Sequence, residues 1–215
     1  MFACHPADPA APVLLTVRQL TGGHGAKPLW QGLDFDLPAG LIAVSGDEGS
    51  GKTLLLKLLA TELEPAGGQM TLPGVGWPAQ RQAFASEVFF TDLRLPDHDA
   101  STPLQCWQAV ARVRPLWDED LAQALAEAMA LQDHQHKRLD MLSAGTRRKV
   151  GLVATLASGA TLTLLDQPFA ALDMASIRVL QNFLHDMADH ARRAWIVADH
   201  EADPWLPWRC RIELG

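Results

Sequence analysis

The sequence is poor in the features that mark several protein classes. It has three cysteines in 215 residues, widely spaced at positions 4, 106 and 210, so we expect free thiols in a reducing compartment and no disulfide framework. No apolar run approaches the length of a membrane span, and residues 1–12 lack the basic and apolar segments of a signal peptide. We therefore expect a protein that stays on the cytoplasmic side of any membrane it serves.

Positive charge is also scarce. The chain has 18 Lys and Arg residues against 25 Asp and Glu residues, a net charge of −7, so nothing indicates nucleic acid as a partner. A hydrophobic content of 48% and a charged content of 20% are ordinary for a globular protein. The length allows one large domain or two small ones, with ample residues for a core.

One stretch stands out from this ordinary background. Apolar residues 41–44 have the character of a buried strand, and residues 54–60 are strong helix formers. The sequence between them fits G-x-x-x-x-G-K-[ST], the phosphate-binding P-loop, in the strand–loop–helix context that this motif needs. The loop residues are Gly46, Asp47, Glu48, Gly49, Ser50, Gly51, Lys52 and Thr53.

The chemistry of this loop suits a polyphosphate. Its glycines let consecutive backbone N–H groups point at one oxyanion, and the following helix adds its positive end. Lys52 supplies a charge for the outer phosphates, and the Thr53 hydroxyl is placed to ligate Mg²⁺. Asp47 and Glu48 are unfavourable beside phosphate, so we expect them to face solvent or a partner and to weaken nucleotide binding.

The rest of the chain indicates an α/β protein with a helical insertion. Strand patterns occur at residues 13–20, 33–37, 69–72, 88–91, 162–166, 194–199 and 209–214. No strand signal appears between residues 96 and 142, where residues 103–114 and 118–131 are predicted helices. Two further helices are predicted, at residues 143–157 and 174–190.

Four more motifs follow the P-loop in a fixed order. They are Leu142-Ser143-Ala144-Gly145-Thr146, then residues 162–168 with Asp166, then Ala171-Leu172-Asp173, then Val197-Ala198-Asp199-His200. In order and spacing they resemble the signature, Walker B, D-loop and switch-histidine motifs of ABC-transporter ATPases. The resemblance covers residues 13–214.

The resemblance implies a P-loop NTPase (RecA-like) core with an antiparallel β part and a helical insertion subdomain. Residues 13–92 and 147–215 would form the ATP-binding core, residues 93–146 the helical signature subdomain, and residues 1–12 a flexible N-terminus. The implied cofactors are ATP and Mg²⁺. Asp166, at a strand end beside the P-loop, would hold the metal together with Thr53.

The resemblance also implies partners. In the family, the signature binds the γ-phosphate of ATP on the opposite subunit, so Ser143, Ala144, Gly145 and Thr146 would act across a head-to-tail homo- or heterodimer. His200 would contact the γ-phosphate within the same subunit, and Asp173 would cross the dimer seam. The expected role is the ATP-binding subunit of an ABC transporter, peripheral on the cytoplasmic face of the membrane and coupled to a separate membrane permease.

Several positions depart from the family pattern. Gln167 stands where the family has the Glu that polarises the attacking water, and an amide cannot accept a proton. Asp92 stands at the position of the Q-loop Gln, which ligates Mg²⁺. The adenine-stacking aromatic falls near His24, and the chain has no tyrosine. An imidazole stacks less well than a larger ring.

These departures leave alternatives open. In one alternative, the subunit binds ATP but hydrolyses it slowly, or acts on a partner through ATP binding alone. In the other, Asp92 compensates for Gln167 by ligating Mg²⁺ and helping to activate water. A regulatory ABC protein without significant hydrolysis is the alternative function. The short length, the start of the signature and the sequence after Asp166 are also similar to the haem-exporter ATPases of cytochrome c maturation.

Overall fold

A computed structural model of the protein describes residues 5–6, 12–23, 28–91 and 98–214. These residues group into two compact units. The first consists of Met1–Phe90, Thr161–Gln167 and Leu184–Gly215, and the second of Thr91–Ala160 and Pro168–Phe183. The functional division expected from the sequence stays a prediction. Residues 168–183, which it assigned to the core, belong to the second unit.

The described residues form ten strands and six α-helices. The strands are β1 (His5–Pro6), β2 (Val13–Gly22), β3 (Trp30–Pro38), β4 (Gly40–Gly46), β5 (Gly67–Leu72), β6 (Val75–Trp77), β7 (Val88–Phe89), β8 (Leu162–Asp166), β9 (Ala194–Asp199) and β10 (Cys210–Leu214). The helices are α1 (Lys52–Leu59), α2 (Arg81–Glu87), α3 (Pro103–Val113), α4 (Glu119–Ala128), α5 (Ala144–Leu156) and α6 (Met174–Met187).

The first unit contains two sheets. One is six-stranded in the order β1-β10-β4-β9-β8-β7. Its strands are parallel except β1, which pairs antiparallel to β10. The other sheet is four-stranded and antiparallel, in the order β3-β2-β5-β6. A parallel sheet with a helix after its strands is the arrangement that places ligand sites at the carboxyl ends of the strands.

The strands of the parallel sheet are buried because their sequences are almost wholly apolar. Residues 41–44 of β4 and 162–165 of β8 are buried without interruption, as expected for a parallel sheet covered on both faces. Helix α1 packs against β4, β8 and β9 through leucines such as Leu55 and Leu58. One hydrophobic core joins these residues to both sheets.

The second unit is helical. Each of its three complete helices begins at a polar capping residue, which is Thr102, Asp118 or Ser143. The side chain of each capping residue accepts a hydrogen bond from the backbone N–H of the residue three positions later. The indole N–H of Trp107 on α3 donates to the carbonyl of Val150 on α5 at 3.0 Å, which ties these two helices together. Helix α6 begins in this unit and ends in the first.

The structure confirms most of the elements predicted from the sequence and adds three. One of them, strand β1, lies within residues 1–12, which were expected to be a flexible N-terminus. Helix α2 and strand β6 lay in a stretch where no element was predicted, and β3 begins at Trp30, three residues before the predicted start. The expected fold class is confirmed: the chain has the α/β core, the antiparallel sheet and the helical insertion. Within the described ranges, no helix has both the length and the apolar character needed to cross a membrane.

The cysteines differ from expectation at one position. Cys106 is a free, buried thiol, and burial raises its pKa. Cys210 is disulfide-bonded, so the expectation of free thiols is wrong for this residue. The pairing of β1 with β10 places Pro6 opposite Cys210, a long-range contact that spacing along the sequence does not reveal.

Candidate functional site

The P-loop leaves the carboxyl end of β4 and leads directly into α1. It lies close to the last strand, because Gly46 is in register with Leu214 of β10. A Cβ added at Gly46 would overlap the carbonyl oxygen of Leu214. The glycine is therefore required by packing at the base of the loop, in addition to the backbone curvature for which the motif is known.

The Lys52 ammonium is held over this loop. Its Nζ donates to the carbonyl oxygens of Gly46 at 2.6 Å and Asp47 at 2.7 Å, and lies 3.4 Å from the Ser50 hydroxyl. Only 6% of Lys52 is exposed. All three partners are uncharged oxygens, so they orient the ammonium and leave its positive charge unneutralised, as an anion-binding loop requires.

Thr53 and Asp166 meet at the start of α1. The Thr53 hydroxyl donates to Asp166 Oδ2 at 2.8 Å, across 113 residues of sequence. Thr53 is the second residue of α1, and Asp166 is the last residue of β8. A hydroxyl and a carboxylate are hard oxygen ligands of the kind that Mg²⁺ prefers. This donor pair therefore fits a magnesium ion beside the P-loop.

Gln167 and His200 follow the ends of adjacent strands, β8 and β9. Gln167 has a φ of 45°, an uncommon backbone conformation for a residue with a side chain, and its N–H donates to Ala198 O at 2.7 Å. His200 is exposed. Its carbonyl accepts from Gly46 N–H at 3.2 Å, so the predicted switch histidine adjoins the base of the P-loop.

A cavity of about 440 Å³ opens beside this junction. Its lining includes Gly46, Asp47, His200 and Glu201. Asp47 and Glu48 of the loop are both exposed, so their carboxylates are hydrated rather than buried against the loop. This placement lowers the electrostatic penalty that two acids would otherwise impose on a bound polyphosphate.

One aromatic residue near the loop was missed by the sequence interpretation. A Cβ added at Gly51 would collide with the side chains of Leu29 and Trp30, so the Trp30 indole lies directly against the P-loop. Trp30 is the first residue of β3, three residues before the strand predicted at residues 33–37, so the sequence pattern gave no signal for it. His24, the residue expected near the adenine, lies outside the described residues, as does Asp92.

The predicted signature residues stand at the start of α5 in the second unit. Ser143 is exposed and caps the helix, accepting from Thr146 N–H at 3.1 Å, with the two hydroxyls 2.9 Å apart. Ala144 and Gly145 form the first turn. The exposed hydroxyl and the helix N-terminus together offer hydrogen-bond donors to an anion.

Gly145 packs against the segment that carries the predicted D-loop. A Cβ on Gly145 would overlap the carbonyl oxygen of Ala171, and Ala171 itself has a φ of 60°. Four residues further along the same face of α5, Lys149 Nζ contacts Asp173 Oδ2 at 2.5 Å and Met129 O at 3.3 Å. The helix therefore fixes this segment at two points one turn apart.

Asp173 has a structural role within its own unit. Its carboxylate accepts from the Ser176 N–H at 2.9 Å, which caps α6. The hydrogen bond from Lys149 is the main reason that the pKa of Asp173 lies well below its usual value, and the Ser176 N–H adds to the effect. The pairing of Lys149 with Asp173 had no local signal in the sequence.

The structure thus brings some of the predicted residues together. The P-loop, Thr53, Asp166, Gln167 and His200 all belong to the first unit, whereas the signature residues and Asp173 belong to the second. Direct bonds join Thr53 to Asp166 and the P-loop to the backbone of His200. These assignments of catalytic and binding roles stay predictions.

Comparison with known proteins gives consistent matches. The ABC transporter family profile matches residues 30–170. The cytochrome c biogenesis ATP-binding export protein CcmA of Pseudomonas savastanoi pv. phaseolicola is 33% identical over 211 residues, covering 95% of this chain and 97% of that protein. The match therefore extends over nearly the whole of both chains.

Solved structures agree. An ABC transporter ATP-binding protein from Pyrococcus furiosus superposes with a TM-score of 0.73 at 25% identity, covering 93% of this chain and 96% of that one. A bacterial ABC transporter cassette solved as a dimer gives a TM-score of 0.71 at 16% identity, covering 87% and 88%. ATPases of this family bind ATP, usually with Mg²⁺, and hydrolyse it. The chain belongs to the ABC transporter family and is an ATP-binding subunit of a transporter.

Proposed function

We propose that this subunit powers an export step of cytochrome c biogenesis, with haem or a haem-related molecule as the cargo of the transporter. The observation that carries the proposal is the match to CcmA, at 33% identity over 95% of this chain and 97% of that protein. The subunit would bind a separate membrane permease at the cytoplasmic face of the membrane. The similarity to haem-exporter ATPases in the signature and after Asp166 supports the same assignment.

The proposed nucleotide site is built on the P-loop. The unneutralised ammonium of Lys52 would bind the outer phosphates, and backbone N–H groups of the loop would bind the remaining phosphate oxygens. Thr53 and Asp166, already in contact at 2.8 Å, would hold Mg²⁺, which when bound neutralises phosphate charge during transfer. Trp30, beside Gly51, is the described aromatic residue best placed to stack on adenine.

The complete site would need a second subunit. Ser143 and Gly145 offer donors at the N-terminus of α5, and in the proposed head-to-tail dimer they would bind the γ-phosphate held by the other subunit. Asp173 would lie at the seam, positioned there by its ion pair with Lys149. The dimeric state of a solved cassette of the same fold is in keeping with this arrangement.

Hydrolysis is proposed to be slow. The amide of Gln167 can orient a water molecule by hydrogen bonds but cannot take its proton. The proton must pass to another group or directly to phosphate. Asp92 is the proposed alternative, as a metal ligand that also helps to activate water, and His200 would contact the γ-phosphate. If Asp92 does not do so, the subunit acts mainly by binding ATP and gating its partner.

An ATPase assay on the assembled transporter tests the hydrolysis proposal. Gln167→Glu restores a general base and should raise turnover by about 100-fold or more, whereas Gln82→Glu on the exposed surface of α2 should leave it unchanged. Asp92→Asn should lower turnover and weaken its dependence on Mg²⁺. If Asp92→Asn changes neither, the compensating role of Asp92 is wrong.

The transport assignment needs a separate test in cells. Loss of this subunit should abolish mature c-type cytochromes, and the wild-type chain should restore them, whereas Lys52→Ala should not. Haem staining of membrane proteins measures the outcome. Normal cytochrome content without the subunit would refute the export proposal and would leave its ATP binding intact.

A further inference from the structure

The second unit contains a cavity that the nucleotide site does not use. It has a volume of about 450 Å³ and lies between α3, α4 and the turn at Gln132–His134. This size is within the range of small-molecule pockets. Two small side chains of α4, Ala122 and Ala126, are buried and form part of its wall.

Two indole rings line this cavity. Trp107 donates its N–H to Val150 O at 3.0 Å, and Trp117 donates its N–H to Glu119 Oε2 at 2.8 Å. Because both N–H groups already have acceptors, the indoles contribute ring surface to the lining rather than a free hydrogen-bond donor. The π face of tryptophan is the strongest aromatic partner for a cation.

The charged groups in the lining are all acidic. Glu119 and Glu127 lie eight residues apart on α4 with Gln123 between them, so the three side chains follow one face of the helix. Glu119 is also held by Gln123 Nε2 at 3.4 Å. Among the described residues that line the cavity there is no lysine, arginine or histidine. The cavity therefore disfavours anions and favours a positive ligand.

We propose that this cavity binds an organic cation of the guanidinium or alkylammonium class. The cation would stack on the indoles of Trp107 and Trp117 and pair with the carboxylates of Glu119 and Glu127. A bare metal ion fits less well, because aromatic carbons make up part of the wall and the described residues contain no group of three metal-ligating carboxylate, thiol or imidazole side chains. The flat guanidinium matches both the stacking and the bidentate carboxylate contact.

The cation has two possible sources, which the experiment separates. One is a free small molecule. The other is an arginine side chain in a cytoplasmic loop of the membrane permease, since such loops are enriched in arginine and lysine. The second source rests on the proposed transporter function, whereas the chemistry of the cavity does not.

The test is a titration of the isolated full-length chain with N-acetyl-arginine amide, followed by the indole N–H signals in ¹H–¹⁵N NMR spectra. The signal of Trp117, assigned through Trp117→Phe, should shift with an affinity in about the millimolar range. N-acetyl-citrulline amide has the same shape without the charge and should produce no shift. Failure of the arginine compound to shift Trp117 would overturn the proposal.

A matched pair of variants locates the site. Glu119→Gln removes a lining carboxylate and should weaken binding about tenfold. Asp120→Asn removes the same charge from the next residue of α4, which does not line the cavity, and should bind as the wild type does. Equal weakening by both variants would mean that general charge attracts the probe, and the pocket assignment would be wrong.

The same titration on the assembled transporter identifies the source. If an arginine of the permease occupies the cavity, the Trp117 signal of the complex should no longer respond to the probe, and Glu119→Gln should weaken assembly. If the response is retained, the ligand is a free cation. Loss of ATP binding in other variants affects neither measurement, so failure here is distinguishable from failure of the transport proposal.

Discussion

Two largely buried lysines, one in each unit, differ in the charge of the groups that they contact. Lys52 in the first unit is bonded to two carbonyl oxygens and a hydroxyl, whereas Lys149 in the second is paired with the carboxylate of Asp173. The dipoles around Lys52 orient its charge without cancelling it. The charge of Lys149 is cancelled by its partner.

This difference separates a binding lysine from a structural one. A charge held by dipoles alone remains available to an incoming anion, so Lys52 is suited to phosphate. A charge already paired with a carboxylate fixes two segments to each other, so Lys149 holds the segment at Asp173 against α5. Burial of a lysine near a motif does not distinguish these roles, but the formal charge of its partners does.

The largest effect is expected from removing the unpaired charge. Lys52→Ala should weaken ATP binding about 100-fold, because it removes a charged donor from the outer phosphates. Lys57→Ala, on the last turn of the same helix, should bind ATP as the wild type does. Isothermal titration with Mg-ATP measures both. If Lys52→Ala retains wild-type affinity, the contrast between the two lysines has no functional meaning.

An intermediate effect is expected where α5 contacts the segment next to Asp173. Gly145→Ala places a methyl group on the carbonyl of Ala171 and should destabilise the fold by about 1–3 kcal/mol. At Gly67 a Cβ would have no neighbour within 4 Å, so Gly67→Ala should change stability by about 0.5 kcal/mol or less. Urea unfolding compares the two. Equal free energies of unfolding for the two variants would show that the segment at Ala171 moves away from the added methyl group without destabilising the fold.

The smallest effect concerns the ion pair itself. The pKa of Asp173 is lower in the folded than in the unfolded chain, chiefly because Lys149 donates to it. Its contribution is complete above the usual aspartate pKa of about 4 and is lost as the pH falls below that value. Asp173→Asn keeps a cap for Ser176 but removes this titration.

Urea midpoints measured from about pH 5 down to about pH 3 should therefore fall less steeply for Asp173→Asn than for the wild type. Asp133→Asn, at an exposed position in the same unit, should keep the wild-type slope. A slope that is the same for all three proteins would mean that the pair contributes nothing to folding.

The fold was largely predictable because most elements have strong local patterns. The apolar runs of β4 and β9, the mostly apolar sequence of β8 and the leucines of α1 are strong signals for the strands and the helix that they form. Strand β6 has three residues, one of them glycine, and α2 has one buried side chain, Phe84. Neither can show a period, so their structure depends on contacts with the rest of the first unit.

The site was predictable only as far as sequence motifs reach. Lys52 and Thr53 belong to the P-loop motif, and the resemblance of the ordered motifs to ABC-transporter ATPases added Asp166 to the same hypothesis. The ion pair of Lys149 with Asp173, and the Trp30 indole beside Gly51, depend on contacts between distant segments. Such contacts follow from three-dimensional packing and leave no trace in a single sequence.

The position of β4 in its sheet has a mechanical consequence. The strand that carries the P-loop is bonded on both sides, through five residue pairs with β10 and six with β9. A pull along β4 would load both ladders in shear, so that many hydrogen bonds must fail together. The phosphate-binding loop is therefore attached to a rigid part of the sheet. Any conformational change that follows nucleotide binding must bend the segments that leave the sheet, such as the one after Gln167, before it displaces β4.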